Sequence, residues 1–130
     1  MPFPIEERFI LEAEQRLGIS LPLAYRKKLM RENGGQLETP PDSWTLYPVR
    51  DSSDRKRLKR TCNDIVLETE NARRWTGFPR DSVAIGANGG GDRLILRPNP
   101  ADSSVLSSEV AWWDHETGAI NPIGDIAAIL

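Results

Sequence analysis

The chain reads as an α+β domain, and three observations predict it. Helix-period apolar residues and helix-stopping glycines occupy the N-terminal part. Strand-period alternation gathers after Ala84. The strand-like segments there are joined by loops too short for crossover helices, so they must pair antiparallel. The expected architecture is an N-terminal helix pair plus one further helix packed on a mainly antiparallel sheet of about five strands, with a short C-terminal helix. The 130 residues make a single domain, 1–130, on length alone.

Pro4 to Leu17 predicts the first helix. Pro4 suits the first turn, where its missing N–H would go unpaired anyway. Ile10, Ala13 and Leu17 share a stripe with Phe9 beside it, and Gly18 supplies a left-handed stop. The second helix follows at once. Leu21 precedes a proline and should cap it, Pro22 should be its first residue, and Leu21, Tyr25 and Leu29 share one face. Arg26, Lys27, Lys28 and Arg31 should be solvated or lie toward the negative end of the helix dipole. Asn33-Gly34-Gly35 ends the helix.

Thr39 to Asp42 predicts a loop, and Ser43 to Val49 a strand limited to an edge or an end by Pro48. Residues 50–60, RDSSDRKRLKR, hold six basic and two acidic side chains, a local charge of +4. They read as a solvated loop entering a helix. Asn63 to Trp75 predicts that third helix, with Asn63 as its cap and Gly77 as its stop. Ala84 to Pro98, AIGANGGGDRLILRP, is strand, glycine turn and strand. Asn99 to Ser108 reads as a polar loop. Glu109 to Trp113 is a strand with a tryptophan on each face, which expects cover on both sides or one ring at a contact surface. Asp114 to Gly118 turns it into Ala119 to Ile123, and Asp125 caps a last helix, Ile126 to Leu130.

Composition narrows the class. Charged residues are 28% and hydrophobic residues 38%, as in a folded globular domain. No apolar run approaches the roughly 20 residues of a membrane span, and MPFPIEERF lacks the pattern of a secretion signal. A cytoplasmic location is expected. The lone Cys62 reads as a small half-buried residue near a helix start. Residues 76–130 carry three arginines against seven acids, a local charge of −4, so the molecule should be electrically polarised.

Several chemistries lose their support. Asn88 to Asp92 invites comparison with a phosphate loop, but a strand follows the glycines where a helix is needed, and no Lys-Ser or Lys-Thr pair is present. The structural reading is a turn demanding positive φ, with Asp92 bonding the loop backbone. His115 is the only histidine, and its spacing from Cys62 and the acids suggests no metal site. Asp114-His115-Glu116 holds a potential general base, but adjacent side chains on a turn are expected to diverge. No nucleophile elbow is present. A paired-carboxylate mechanism stays open, since nothing selects a pair among 19 acids. Arg55 to Arg60 offers a phosphate or nucleic-acid patch, weakened by the absence of an aromatic inside the run. An acidic half with aromatics on its surface has the features of a protein-binding face.

Four segments resemble one family. They are Ile5 to Gly35 with Leu-Pro before its second helix and Asn-Gly-Gly after it, Phe78 to Leu96 with its glycine hairpin, Val110 to Ile120 with Trp-Asp-His-Glu-Thr-Gly, and the closing helix Ile126 to Leu130. The chain resembles the SUKH superfamily, which includes the yeast cell-wall assembly regulator and many bacterial immunity proteins. Leu37 to Trp75 is similar only in outline. The resemblance implies helices against an antiparallel sheet, a non-enzymatic role and no cofactor. It also implies a protein partner, often a cognate toxin and commonly a nuclease. Partner-contacting residues do not carry over from the family, whose shared motif residues read as structural; the charge asymmetry and the aromatics instead point to Asp92, Trp112, Trp113, Asp114 and Glu116 as the expected partner-binding residues. A regulatory adaptor in cell-wall or envelope assembly is the alternative, and nucleic-acid binding through Arg55 to Arg60 a further one.

Overall fold

A computed structural model describes residues 2–130. Its order is α1 (Glu7–Leu17), α2 (Leu23–Arg31), β1 (Gln36–Thr39), β2 (Asp42–Leu46), α3 (Arg55–Arg60), α4 (Ile65–Ala72), β3 (Val83–Ala87), β4 (Arg93–Asn99), β5 (Asp102–Trp113), β6 (Ile120–Asp125) and α5 (Ile126–Ile129). The α+β class holds, with a sheet of six strands where about five were expected. Each strand pairs antiparallel with the next in sequence, so the sheet is a meander from β1 to β6. Short connections make that order the natural one.

The two unexpected pieces of strand are polar. β1 pairs with β2 through the predicted loop, which shrinks to a hairpin turn containing a cis Pro40–Pro41 bond. The predicted loop from Asn99 to Ser108 is a tight turn followed by the first half of β5, where Asn99 faces Asp102 and Pro98 faces Leu106. These segments pair through their backbones while most of their side chains face water, so no apolar alternation marks them.

The helix pair forms with small shifts at its ends. α1 starts at Glu7 rather than Pro4 and stops at Gly18, whose φ is +74°. Pro22 takes the cap position, one residue beyond Leu21. Lys28 is not solvated: it is buried and donates to the Gly34 carbonyl. Burial pulls its pKa down to about 8, against the opposing pull of Glu32. The basic run is a helix of its own, α3, capped by Asp54. Cys62 is exposed in the turn after it. Asp64, not Asn63, caps α4, accepting from the amides of Val66 and Leu67.

One core holds helices to sheet. Ile10, Tyr25, Leu29, Ile65, Ile85, Leu94, Ile95 and Leu96 are fully buried in it. α4 lies on β3, and α1 lies against α4 and α2. Thr69 locks α4 to the strand: its Oγ1 accepts from the Ala84 amide at 3.1 Å and donates to the Ala84 carbonyl at 3.3 Å. The β3–β4 register shifts between Ala84 and Gly86. A Cβ at Gly86 would lie 2.9 Å from the Thr45 carbonyl, so only glycine lets β2 approach β3 this closely.

Candidate functional site

Two hairpins meet at Asp92, and a third reaches the same turn beside it. The β3–β4 turn, residues 88–92, presents it, with Gly89 and Gly91 at φ +83° and +106°. Asn88, rather than Asp92, ties that turn together, its Oδ1 accepting from the Gly90 amide at 2.9 Å. Asn88 also reaches Asp42 at the β1–β2 hairpin, 3.3 Å away. Asp92 instead bonds across to the next hairpin. Its Oδ2 accepts from the Trp112 indole N–H at 2.8 Å, and its Oδ1 from the His115 amide at 3.1 Å. His115 Nδ1 lies 2.6 Å from the same Oδ1. An ionised carboxylate only accepts, so Nδ1 carries the proton.

Asp92 is half-buried, with 16% of its side chain open. Partial burial would push its carboxyl up, but the bonds from His115 and Trp112 outweigh burial and hold it below the usual carboxylate range. Gly91 completes the fit. A Cβ there would lie 2.7 Å from the His115 ring, so the histidine seats directly on glycine backbone.

Aromatic rings pack around this clamp. Trp112 meets Trp44 edge to face at 5.0 Å, and the Trp44 indole donates to Thr39 Oγ1 at 2.6 Å. Trp113 points to the other side of the strand. It packs edge to face on Phe78 at 5.1 Å and donates to the Gly77 carbonyl at 3.2 Å. β5 is therefore covered on both faces at its end, the first of the two arrangements the paired tryptophans allowed. The same α4–β3 connection that takes Trp113 places Trp75 edge to face on His115 at 5.7 Å. Trp75 remains 46% exposed.

The expected partner-binding residues thus separate. Asp92 and Trp112 are half-buried and joined to each other. Asp114 is half-buried too, and its Oδ1 accepts from the amides of Glu116 and Thr117 to shape the turn. Glu116 is exposed, its carboxylate 3.9 Å from His115 Nε2. Trp113 is fully buried and supports the turn from beneath. Trp75 was missed. It sits at the end of a helix pattern, where nothing local says that a distant histidine will stack on it.

The turn also departs from the divergence expected of adjacent side chains. Asp92 reaches in from another hairpin, and the ligand atoms of Asp92, Asp114 and His115 lie within 4.8 Å of one another. This is the arrangement a cation would need. Both Asp92 oxygens and one Asp114 oxygen are already spent on turn hydrogen bonds, so the group reads as a structural clamp. Among the described residues, no helix is long and apolar enough to cross a membrane.

A family model described as the SMI1 / KNR4 family (SUKH-1) matches residues 4–125. The chain belongs to that family. No curated protein matches the chain. Within the SUKH-1 family the coarse role is that of an immunity or regulatory domain that binds other proteins. The matched span takes in both α1–α2 and the Asp92 clamp, and it includes the middle region that sequence likeness covered only in outline.

Proposed function

We propose that this domain is a non-enzymatic immunity protein of the cytoplasm that neutralises a cognate toxin by binding it directly. The contact face lies around the Asp92 clamp. The observation that carries the reading is the exposed Trp75 stacked on His115 beside Glu116 and Asp114. A large ring with accessible area is the kind of side chain that anchors interfaces, and neighbouring carboxylates favour a basic partner surface. The nucleic-acid-binding groove of a nuclease is such a surface, which supports a nuclease as the toxin. The clamp contributes rigidity: Asp92 holds Trp112 and His115 in place, so little side-chain entropy is lost on binding.

The test is co-expression with the product of a toxin-like reading frame, if one adjoins the gene; its absence would favour the regulatory adaptor. The wild-type domain is expected to restore growth, and Trp75→Ala and Glu116→Lys to lose protection while remaining folded. Full protection by both variants would place the contact elsewhere. A neighbouring product with no toxicity would favour the regulatory adaptor of envelope assembly instead.

A further inference from the structure

The densest positive charge in the chain sits on α3, and the fold gives it a cavity. Three cations surround the Phe3 ring: Lys56 Nζ, Arg57 Cζ and Arg60 Cζ lie 5.9, 4.7 and 5.0 Å from its centre. The aromatic group that the basic run lacks in sequence is thus supplied by the N-terminus. Arg57 is partly neutralised, with Asp51 and Asp54 each 3.8 Å away. Lys56 and Arg60 form no ion pair among the described residues.

Beside this cluster opens a cavity of about 430 Å³, lined among others by Phe3, Gly35, Leu46, Pro48, Arg57 and Arg60. That volume lies within the range of small-molecule sites, roughly 300–1,000 Å³. Asp51 is the one carboxylate of the lining, and it is already engaged. Its Oδ1 accepts from the amide and hydroxyl of Ser53, and its Oδ2 faces Arg57. The cavity therefore joins two guanidinium groups to a neutral wall with Leu46 and Pro48 in it; Asp51 and Asp54 share Arg57, and Arg60 is paired with neither. It shares no residue with the Asp92 clamp.

We propose that this cavity binds a small molecule carrying a phosphate monoester. The phosphate sits on Arg57 and Arg60, and the apolar part lies against Leu46 and Pro48. Guanidinium groups match phosphate oxygens in pairs. A phosphate also carries about −1.5 to −2 charges, which suits a segment of net charge +4 better than a single carboxylate does.

The experiment is an amide NMR titration of the full chain with AMP at low ionic strength, with adenosine and inorganic phosphate alongside. AMP is expected to shift residues 34–36, 45–48 and 57–63 saturably. Adenosine should bind about tenfold more weakly or worse, and inorganic phosphate should displace AMP. Arg60→Gln, which breaks no ion pair, should weaken AMP binding about fivefold or more. Arg60→Lys, which keeps the charge but loses the paired N–H geometry, serves as the second variant should Arg60→Gln disturb folding. Unsaturable shifts, shifts elsewhere, equal binding of adenosine or unchanged affinity in the variant would overturn the proposal. So would affinity that rises with oligonucleotide length along α3, which would make this helix a nucleic-acid surface instead.

Discussion

Replacing Asp92 with asparagine tests the clamp with almost no change of shape. The side chain keeps one acceptor, the Oδ1 that takes both His115 donors, at 3.1 and 2.6 Å. Its new amide group faces the Trp112 indole N–H, whose acceptor lay at 2.8 Å. Two charge-assisted bonds become neutral and a third becomes donor against donor. A hydrogen bond to a charged group is worth about 1.5–3 kcal/mol net, a neutral one about 0.5–1.5, and an unpaired buried donor costs about 1–3. Because Trp112 and His115 keep some access to water, the expected loss is about 2–4 kcal/mol at neutral pH. Urea unfolding followed by tryptophan fluorescence measures it as a lower midpoint at unchanged slope. The pH dependence has a definite sign. The folded carboxyl is held below its usual value, so its contribution is complete above the unfolded pKa of about 3.9 and is lost as pH falls through the folded value. The gap between wild type and Asp92→Asn must therefore narrow as the solution is acidified below about pH 4. A gap under about 0.5 kcal/mol at neutral pH, within the ordinary scatter of surface changes, would refute the clamp. So would a gap that persists undiminished in acid.

Trp113→Ala removes a fully buried ring that packs on Phe78, and should cost about 3–5 kcal/mol in the same assay, whereas Trp75→Ala should cost well under half of that. Gly91→Ala must abandon φ +106° or push the His115 ring aside, so about 1–3 kcal/mol should be lost and the imidazole NMR signals should move. Asp64→Ala strips two amide bonds from the start of α4 and should lower stability by about 1 kcal/mol, seen as a lower midpoint in thermal unfolding followed by circular dichroism.

The parts of the fold legible in sequence are those whose signals are local. Gly18, Asn33-Gly34-Gly35 and Asp125 mark helix ends by backbone needs and capping chemistry within a few residues. Arg93 to Leu96 and Gly86 to Asp92 mark a hairpin by alternation and glycine. What escaped were strands without an apolar face. Gln36–Thr39 and the start of β5 belong to the sheet because their neighbours complete their backbone hydrogen bonds, a requirement their side chains do not record. Residues 55–60 carry a single apolar side chain, Leu58, so no amphipathic stripe distinguishes a helix from a loop there.

The candidate site divides along the same line. Asp92, Trp112, Asp114 and Glu116 stand out as aromatic and acidic residues at turns, a pattern of type and position. Which of them is a surface and which a support depends on neighbours tens of residues away. Asp92 is tied to His115 across two strands, Trp113 is covered by Phe78, and Trp75 is carried to His115 by the connection after α4. The sequence by itself determined the α+β class, the helix pair, the glycine hairpin and the family likeness, because these rest on short-range periodicity and turn chemistry. Only the tertiary structure decided that Asp92 is a clamp, that Trp113 is core, and that Phe3 joins the arginines of α3. Burial and pairing between distant segments are properties of packing, which no local stretch of chain encodes.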